Sequence, residues 1–480
     1  MADEATHDRI ERERKAALPN AERVRDFRSY ARGEQRGTLT VQQQRVLRGV
    51  TGHLFCDNVC KRILGELRNR LRLARFEVDG TGAAAEAVLA YLESLWTLNQ
   101  LPKLSAAVHW AMMRDGNHAV GLAWKGAGTD GRVNLTRERW WNGKSGIFVS
   151  YDDGGQATYA VKEWTNGEGR LRRTVWWPER IERYIQNGAG WEPHKLESDG
   201  GVWPQPWVDR IGQPLGIPIV HFSNVQVPND GPGDEGPSEP DPLYGMSELD
   251  GGILGLQDEI NDLHRDITAA ARFAGFQLLY ATGVQQALDE QGNAIPYTVE
   301  PGAMLTDGNP DSRFGTLAPG SLAELQTALE VKLKAVSRMA GIPMRLITGD
   351  WPSGEALLRD EMPLIDKVET LGAAAGPAWA SVGHKSTKMQ NAFGGGALDE
   401  QLLISSVFVA AARRDPLTMI AIANGMAPHV SEREVLMSAF GYSTKDAERI
   451  MAEKQAERQA AADLAARRLA PQPQGEASDK

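Results

Sequence analysis

The sequence predicts an α+β protein, mainly helical. Three observations carry that prediction. Two long segments, Ser247–Ala274 and Ser321–Ala340, space their apolar residues 3 or 4 apart, the seam of helices that pack lengthwise. Between His118 and Phe222, short alternating runs are split by Asp153-Gly154, Asn166-Gly167 and Asn187-Gly188, which are hairpin signals of an antiparallel sheet. The 480 residues, 41% hydrophobic and 24% charged, are enough for about two to four ordinary globular domains.

The elements follow in order. The first 35 residues read as a charged helix in which Arg23, Arg25 and Arg28 alternate with Val24, Phe27 and Tyr30. A second helical stretch, Val41 to Leu73, carries Val46, Val50, Leu54, Val59, Ile63 and Leu67 near helical spacing. Arg75–Val78 is strand-like and stops at Asp79-Gly80. Ala83–Leu98 and Leu104–Met113 read as helices, the latter stopped by Asp115-Gly116. The β-rich layer holds the runs Gly146–Tyr151, Thr158–Trp164, Leu171–Trp177 and Arg183–Gln186, with most of the tryptophans.

Pro228–Pro242, rich in Pro, Gly and acids, is a linker or long loop. Ser247 is expected to cap the first seam helix, with Glu248 in its first turn. The seam is Ile253, Leu256, Ile260, Leu263, Ile267 and Ala270. Phe276–Gly320 reads as short strands and turns. Ser321 then caps the second helix, with Glu324 completing a capping box. Its seam is Leu322, Leu325, Leu329, Leu333, Val336 and Ala340, stopped at Gly341-Ile342-Pro343. A loop, Ile342–Gly354, leads to a helix from Glu355 to Met389, with interruptions expected at Pro363 and Gly376-Pro377. After the break at Asn391–Gly396, the tail reads as helical: Pro416–Asn424, Glu432–Phe440 and Lys445–Leu469.

Composition narrows the function. Acids exceed bases, 63 against 53, for a net charge of −10, which disfavours a tight nonspecific grip on phosphates. The two cysteines, Cys56 and Cys60, exclude a disulfide framework and point to a reducing compartment. The charged start MADEATHDRIERERK predicts no secretory signal, and no run is apolar enough to predict a membrane span.

No motif points to an enzyme. The chain lacks GxxxxGK[ST], a Rossmann GxGxxG between strand and helix, GxSxG and HExxH. His53, Cys56 and Cys60 would share a helix face, but a structural zinc needs four ligands, and a buried face with small thiols is the simpler reading. Tryptophans near Asp152, Asp153 and Glu163 suggest a glycosidase cleft. Nothing sets two of these carboxylates at a fixed separation, and Trp140-Trp141 and Trp176-Trp177 read more simply as packing. On the second seam helix, Lys334 and Arg338 share a face away from the leucines, near Lys332, and Glu330 can pair with Lys334. That face is either solvated or the charged lining of a pore. The same two readings apply to Arg345.

One order of motifs is specific. It runs Tyr244-Gly245-Met246-Ser247-Glu248, a long helix with Gln257-Asp258-Glu259-Ile260-Asn261, a small insertion and a second long helix. Gly341-Ile342-Pro343, a Trp/Pro loop and Ser353-Gly354-Glu355-Ala356-Leu357 follow. This order resembles the portal proteins of tailed bacteriophages, in the branch with an "SGEAL" helix start. Tyr30-Ala31-Arg32-Gly33, Asn69–Val78, Arg114-Asp115-Gly116-Asn117, Asn424-Gly425, Ser431-Glu432-Arg433-Glu434 and Phe440-Gly441-Tyr442-Ser443 extend it.

The resemblance implies a portal-type fold. Residues 1–246 would be the wing, 247–274 and 321–341 the two stem helices, and 275–320 a small α/β clip. Residues 342–354 would be the tunnel loop, 355–397 a long helix returning to the wing, and 398–480 a helical crown and tail. It implies a homo-oligomeric ring, usually of twelve, at one capsid vertex of the virion, assembled in the host cytoplasm. Double-stranded DNA would pass through during packaging and ejection without sequence readout. The partners would be the terminase large subunit, then a head–tail connector or adaptor, with major capsid and scaffolding proteins; no membrane, cofactor, metal or catalytic residue is implied. Arg345, Thr348, Asp350 and Trp351 become tunnel-loop candidates. Glu330, Lys334 and Arg338 become candidates for the channel wall, and Tyr297, Glu300, Asp307 and Arg313 for partner binding at the clip. The alternatives are a polymer-acting enzyme such as a glycosidase, or a monomeric adaptor.

Overall fold

A computed structural model describes residues 2–35, 57–126, 130–152, 154–188, 190–196, 201–224, 244–275, 278–283, 291, 309–317, 322–349, 355–409, 411, 423–440, 442 and 444–469. It combines helices and antiparallel sheets, in agreement with the α+β expectation. Two compact units divide the chain, residues 1–407 and 408–480.

The first unit opens with α1, Ala2–Arg32. Next comes α2, Val59–Arg70, whose first turn is closed by Asn58 accepting from the Lys61 amide at 2.9 Å. Its buried residues Val59, Ile63 and Leu67 recur every fourth position. The helix expected over Val41–Leu73 is thus corrected at its end: Leu73 already lies in β1, Leu73–Val78. Residues 36–56 lie outside the described residues. Helices α3, Ala83–Leu98, and α4, Leu101–Asp115, follow. Pro102 sits in the first turn of α4, where its missing N–H costs nothing, and Gly116 at φ +79° ends it.

Two antiparallel sheets form the β layer. The smaller has the order β10-β2-β3, with β2 at Asn117–Lys125, β3 at Arg132–Glu138 and β10 at Ile219–Ser223. The larger runs β4 (Gly146–Tyr151), β5 (Ala157–Thr165), β6 (Leu171–Trp176), β7 (Arg180–Asn187) and β8 (Gly190–Pro193), with β9 (Gln205–Pro206) also on β7. Side-chain carbonyls build its turns. Asp152 accepts from the Gly154 and Gln156 amides, and Asn166 from those of Glu168 and Arg170. Helix α1 lies against this sheet, with Ile10 in its apolar cluster and Arg14 paired to Glu163 at 2.5 Å.

After residue 243 come α5, Ile253–Gly275, then β11, Leu278–Thr282, antiparallel to β12, Arg313–Leu317. Helix α6, Leu322–Ala340, returns, and a single-turn helix α7, Met344–Thr348, precedes α8, Glu355–Gly394. The expected interruptions of α8 at Pro363 and Gly376-Pro377 do not occur; both prolines sit inside the helix. Each proline removes one intrahelical hydrogen bond. The buried row Leu364, Val368, Leu371, Ala375, Trp379 and Val382 holds the helix together across both sites. Trp379 packs on Phe222 at 4.9 Å, tying α8 to the smaller sheet.

The tail is corrected as well. Residues 398 onward were expected to be helical, yet Ile404–Phe408 forms β13 beside β1. The β-branched Ile404 and Val407 suit a strand, and the Asp79 amide bonds the Leu403 carbonyl at 2.8 Å. In the second unit, Ser431 accepts from the Glu434 amide at the start of α9, Glu432–Phe440, and α10 spans Thr444–Leu469. Arg433–Glu448 and Lys454–Glu432 ion pairs join these two helices.

Candidate functional site

The site is the helix pair α5–α6 with its root in the body. The two helices pack against each other, and Glu259 reaches Lys332 at 2.5 Å across the pair. Met339 near the end of α6 lies beside Gly252, just before α5, so the helices run antiparallel. On α6 the seam behaves as its spacing predicts: Val336 and Ala340 are buried, and the leucines before them are half-buried.

On α5 the buried face differs from the apolar seam. Alongside Ile253 and Ile260 it contains Gln257, Asn261 and Arg265, each four residues from the next and therefore on one stripe. Gln257 accepts from the Cys60 amide at 3.2 Å and donates to the Asp57 carbonyl at 2.6 Å. It also donates to Asn261, which donates in turn to Gln35 at 2.5 Å. The Tyr30 hydroxyl donates to Asp258 at 2.6 Å. This polar stripe mounts α5 on α1 and α2. The four-residue recurrence of amides was readable in the sequence, but polar residues beside an apolar seam read as solvent-facing.

The segment 244–248 forms the rest of the root. Tyr244 donates to the Val149 carbonyl at 2.7 Å. Gly245 exchanges bonds with Asn117, its amide donating to Oδ1 and its carbonyl accepting from Nδ2. A Cβ at Gly245 would lie 2.2 Å from the Asn224 nitrogen, so only glycine fits. Ser247 is not the helix cap that was expected. Its buried hydroxyl donates to the Arg114 carbonyl at 2.5 Å and accepts from the Leu249 amide. The Asp250-Gly251-Gly252 turn, with both glycines at positive φ, delays the helix to Ile253. Glu248 is buried, paired with Lys367 of α8 at 2.5 Å and bonded by Asn224.

Arg345 is buried, which corrects the solvated reading of it. Only 3% exposed, it donates to Asp360 at 3.0 Å and Glu361 at 2.6 Å. Glu361 also meets Arg70, itself paired with Glu66. A guanidinium held this way joins α2, α7 and α8. Thr348 is exposed and donates only to the Met344 carbonyl of its own turn. Glu330, Lys334 and Arg338 lie on the outer face of α6, with Glu330 and Lys334 3.7 Å apart. Arg313 is exposed on β12, opposite Thr282. Tyr297, Glu300, Asp307, Asp350 and Trp351 lie outside the described residues, as do Ser321 and the segment 228–242.

The enzyme candidates separate. Glu163 is buried between Arg14 and Arg173, and Asp152 is occupied in its turn. Trp140 and Trp141 belong to the sheet's core, with Trp176 and Trp177 packed against it. Asp153, His53 and Cys56 lie outside the described residues, while Cys60 is buried. Among the described residues no group of His, Cys, Asp or Glu could hold a metal, and no helix is long and apolar enough to cross a membrane.

Burial holds three histidines neutral. His109 is pushed down to about 4; Trp379 donates to its Nε2, so Nδ1 carries the proton given to the Leu71 carbonyl. His221 is pushed down to about 3; its Nε2–H donates to Asn117 and its Nδ1 accepts from Tyr151. His118 is likewise pushed down to about 3 by burial.

No family model and no curated protein matches the chain. Among solved structures, it is similar to a chain of the neck of a native GTA particle computed with C12 symmetry. The identity is 11% and the TM-score 0.38, over 83% of this chain and 92% of that one.

Proposed function

We propose that this chain is a portal protein of a tailed-phage-type particle. Copies form a closed ring, of about twelve by the family resemblance, at one capsid vertex. The ring is a conduit for double-stranded DNA in packaging and ejection and has no catalytic centre of its own. It sits among capsid and scaffolding proteins, receives the terminase large subunit, and later a head–tail connector.

One observation supports this reading most. The antiparallel pair α5–α6 brackets the β11–β12 ribbon and is rooted by Gly245, Ser247, Glu248, Gln257 and Asn261. Those are residues of the motifs that carry the resemblance. A rigidly mounted helix pair suits side-by-side packing of identical copies around an axis. The net charge of −10 suits a wall that lets a polyanion slide instead of holding it.

Light scattering with negative-stain imaging of the purified chain tests the reading. The expected result is annular particles with a mass near twelve chains. A single-chain mass at every concentration, persisting on co-expression with capsid and scaffolding proteins, overturns it.

A further inference from the structure

The outer faces of α5 and α6 carry opposite charge. On α5, Glu259, Asp262 and Asp266 are exposed, and their spacing of 3 and 4 places them on one face. That stripe contains no basic residue. On α6, Lys334 and Arg338 are exposed one turn apart, on the side turned away from the leucine seam. Beside them Val331 is 54% exposed, an apolar side chain that the described residues leave more than half open.

We propose that these two faces are the contact between neighbouring copies of this chain: Lys334 and Arg338 of one copy meet the acidic stripe of α5 on the next. The inference rests on the ring reading above and specifies its seam. A head-to-tail contact needs two different, complementary faces on every copy, and this helix pair presents both. The contact also covers Val331, which supplies apolar burial at the centre of the charged rim. It takes Lys334 and Arg338 off the DNA-facing wall and gives them to the neighbour. Lys332 and Arg265 already neutralise part of the stripe within each copy, through Glu259 and Asp262. The seam therefore weakens in high salt without being abolished by it.

Charge reversal on the full-length chain tests this, with particle mass by light scattering and folding by thermal melting. All four positions are exposed. Lys334→Glu/Arg338→Glu breaks no pair to a buried residue and is expected to melt as wild type. Asp262 also pairs with the buried Arg265, so melting of the Asp262→Lys/Asp266→Lys variant separates loss of the seam from loss of folding. Lys334→Glu/Arg338→Glu should shift the ring to monomers, as should Asp262→Lys/Asp266→Lys. Combining all four substitutions should restore the ring, because the charges are exchanged but still complementary. Retention of the ring in either reversed pair, or no recovery in the combination, overturns the seam while the conduit reading stands. A wild-type chain that never forms a ring overturns both.

Discussion

His109, His118 and His221 show how single side chains set a pH limit on this fold. Each is buried and held neutral, with values of about 4, 3 and 3. In the unfolded chain each titrates near about 6.5. Between those values the unfolded state binds more protons, so stability rises with pH. The contribution is complete above about pH 6.5 and is lost as pH falls toward the folded values. We expect the melting temperature of the full chain to drop steadily from neutral pH to about pH 5. His109→Asn, which removes the titration at one site, should flatten that slope. A melting temperature independent of pH over this range would refute the assignment.

At the scale of elements, ion pairs hold the helices that follow α6 in place. Arg345 sits in a single turn of helix, too short to be stable alone. Its bonds to Asp360 and Glu361 fix that turn against α8, and Arg70 extends the network to α2. Arg345→Met keeps the stem's bulk but leaves Glu361 with less compensation. The expected loss is roughly 3 kcal/mol, the low end for breaking a buried pair, because Asp360 is 40% exposed. Thermal melting measures it. Limited proteolysis should show faster cleavage between α7 and α8. A melting temperature within a degree or so of wild type would mean the network is not structural.

For the whole molecule, the helix pair and the loop after it bear the proposed function. Shortening Ile347–Pro352 removes the exposed end of α7 and the segment beyond, but not Arg345 or the α5–α6 pair. Ring assembly should therefore survive while DNA packaging, read as filled capsids, is lost. Normal packaging by that deletion removes the tunnel-loop assignment.

Much of the fold was legible in local pattern. The hairpin breaks, the α3 boundaries, the α6 seam and the Gly341 stop all follow from a period or a turn signal that neighbouring residues carry themselves. What local pattern could not decide were choices that depend on distant partners. Ser247 looks like a cap until Arg114 claims its hydroxyl. Arg345 looks like a loop cation until two carboxylates of α8 enclose it. Gln257 and Asn261 stand in the sequence only within a motif, and their bonding to Gln35, Asp57 and Cys60 is set by residues far away along the chain. Pro363 and Pro377 look like breaks until a buried row carries α8 through them. The sequence alone determined the periodicities, and hence most of the elements, because periodicities are properties of a few neighbouring residues. It did not determine the strand Ile404–Phe408 or the continuity of α8. Only the tertiary structure decided which polar groups are buried, because hydrogen-bond satisfaction depends on groups that the chain brings together from far apart.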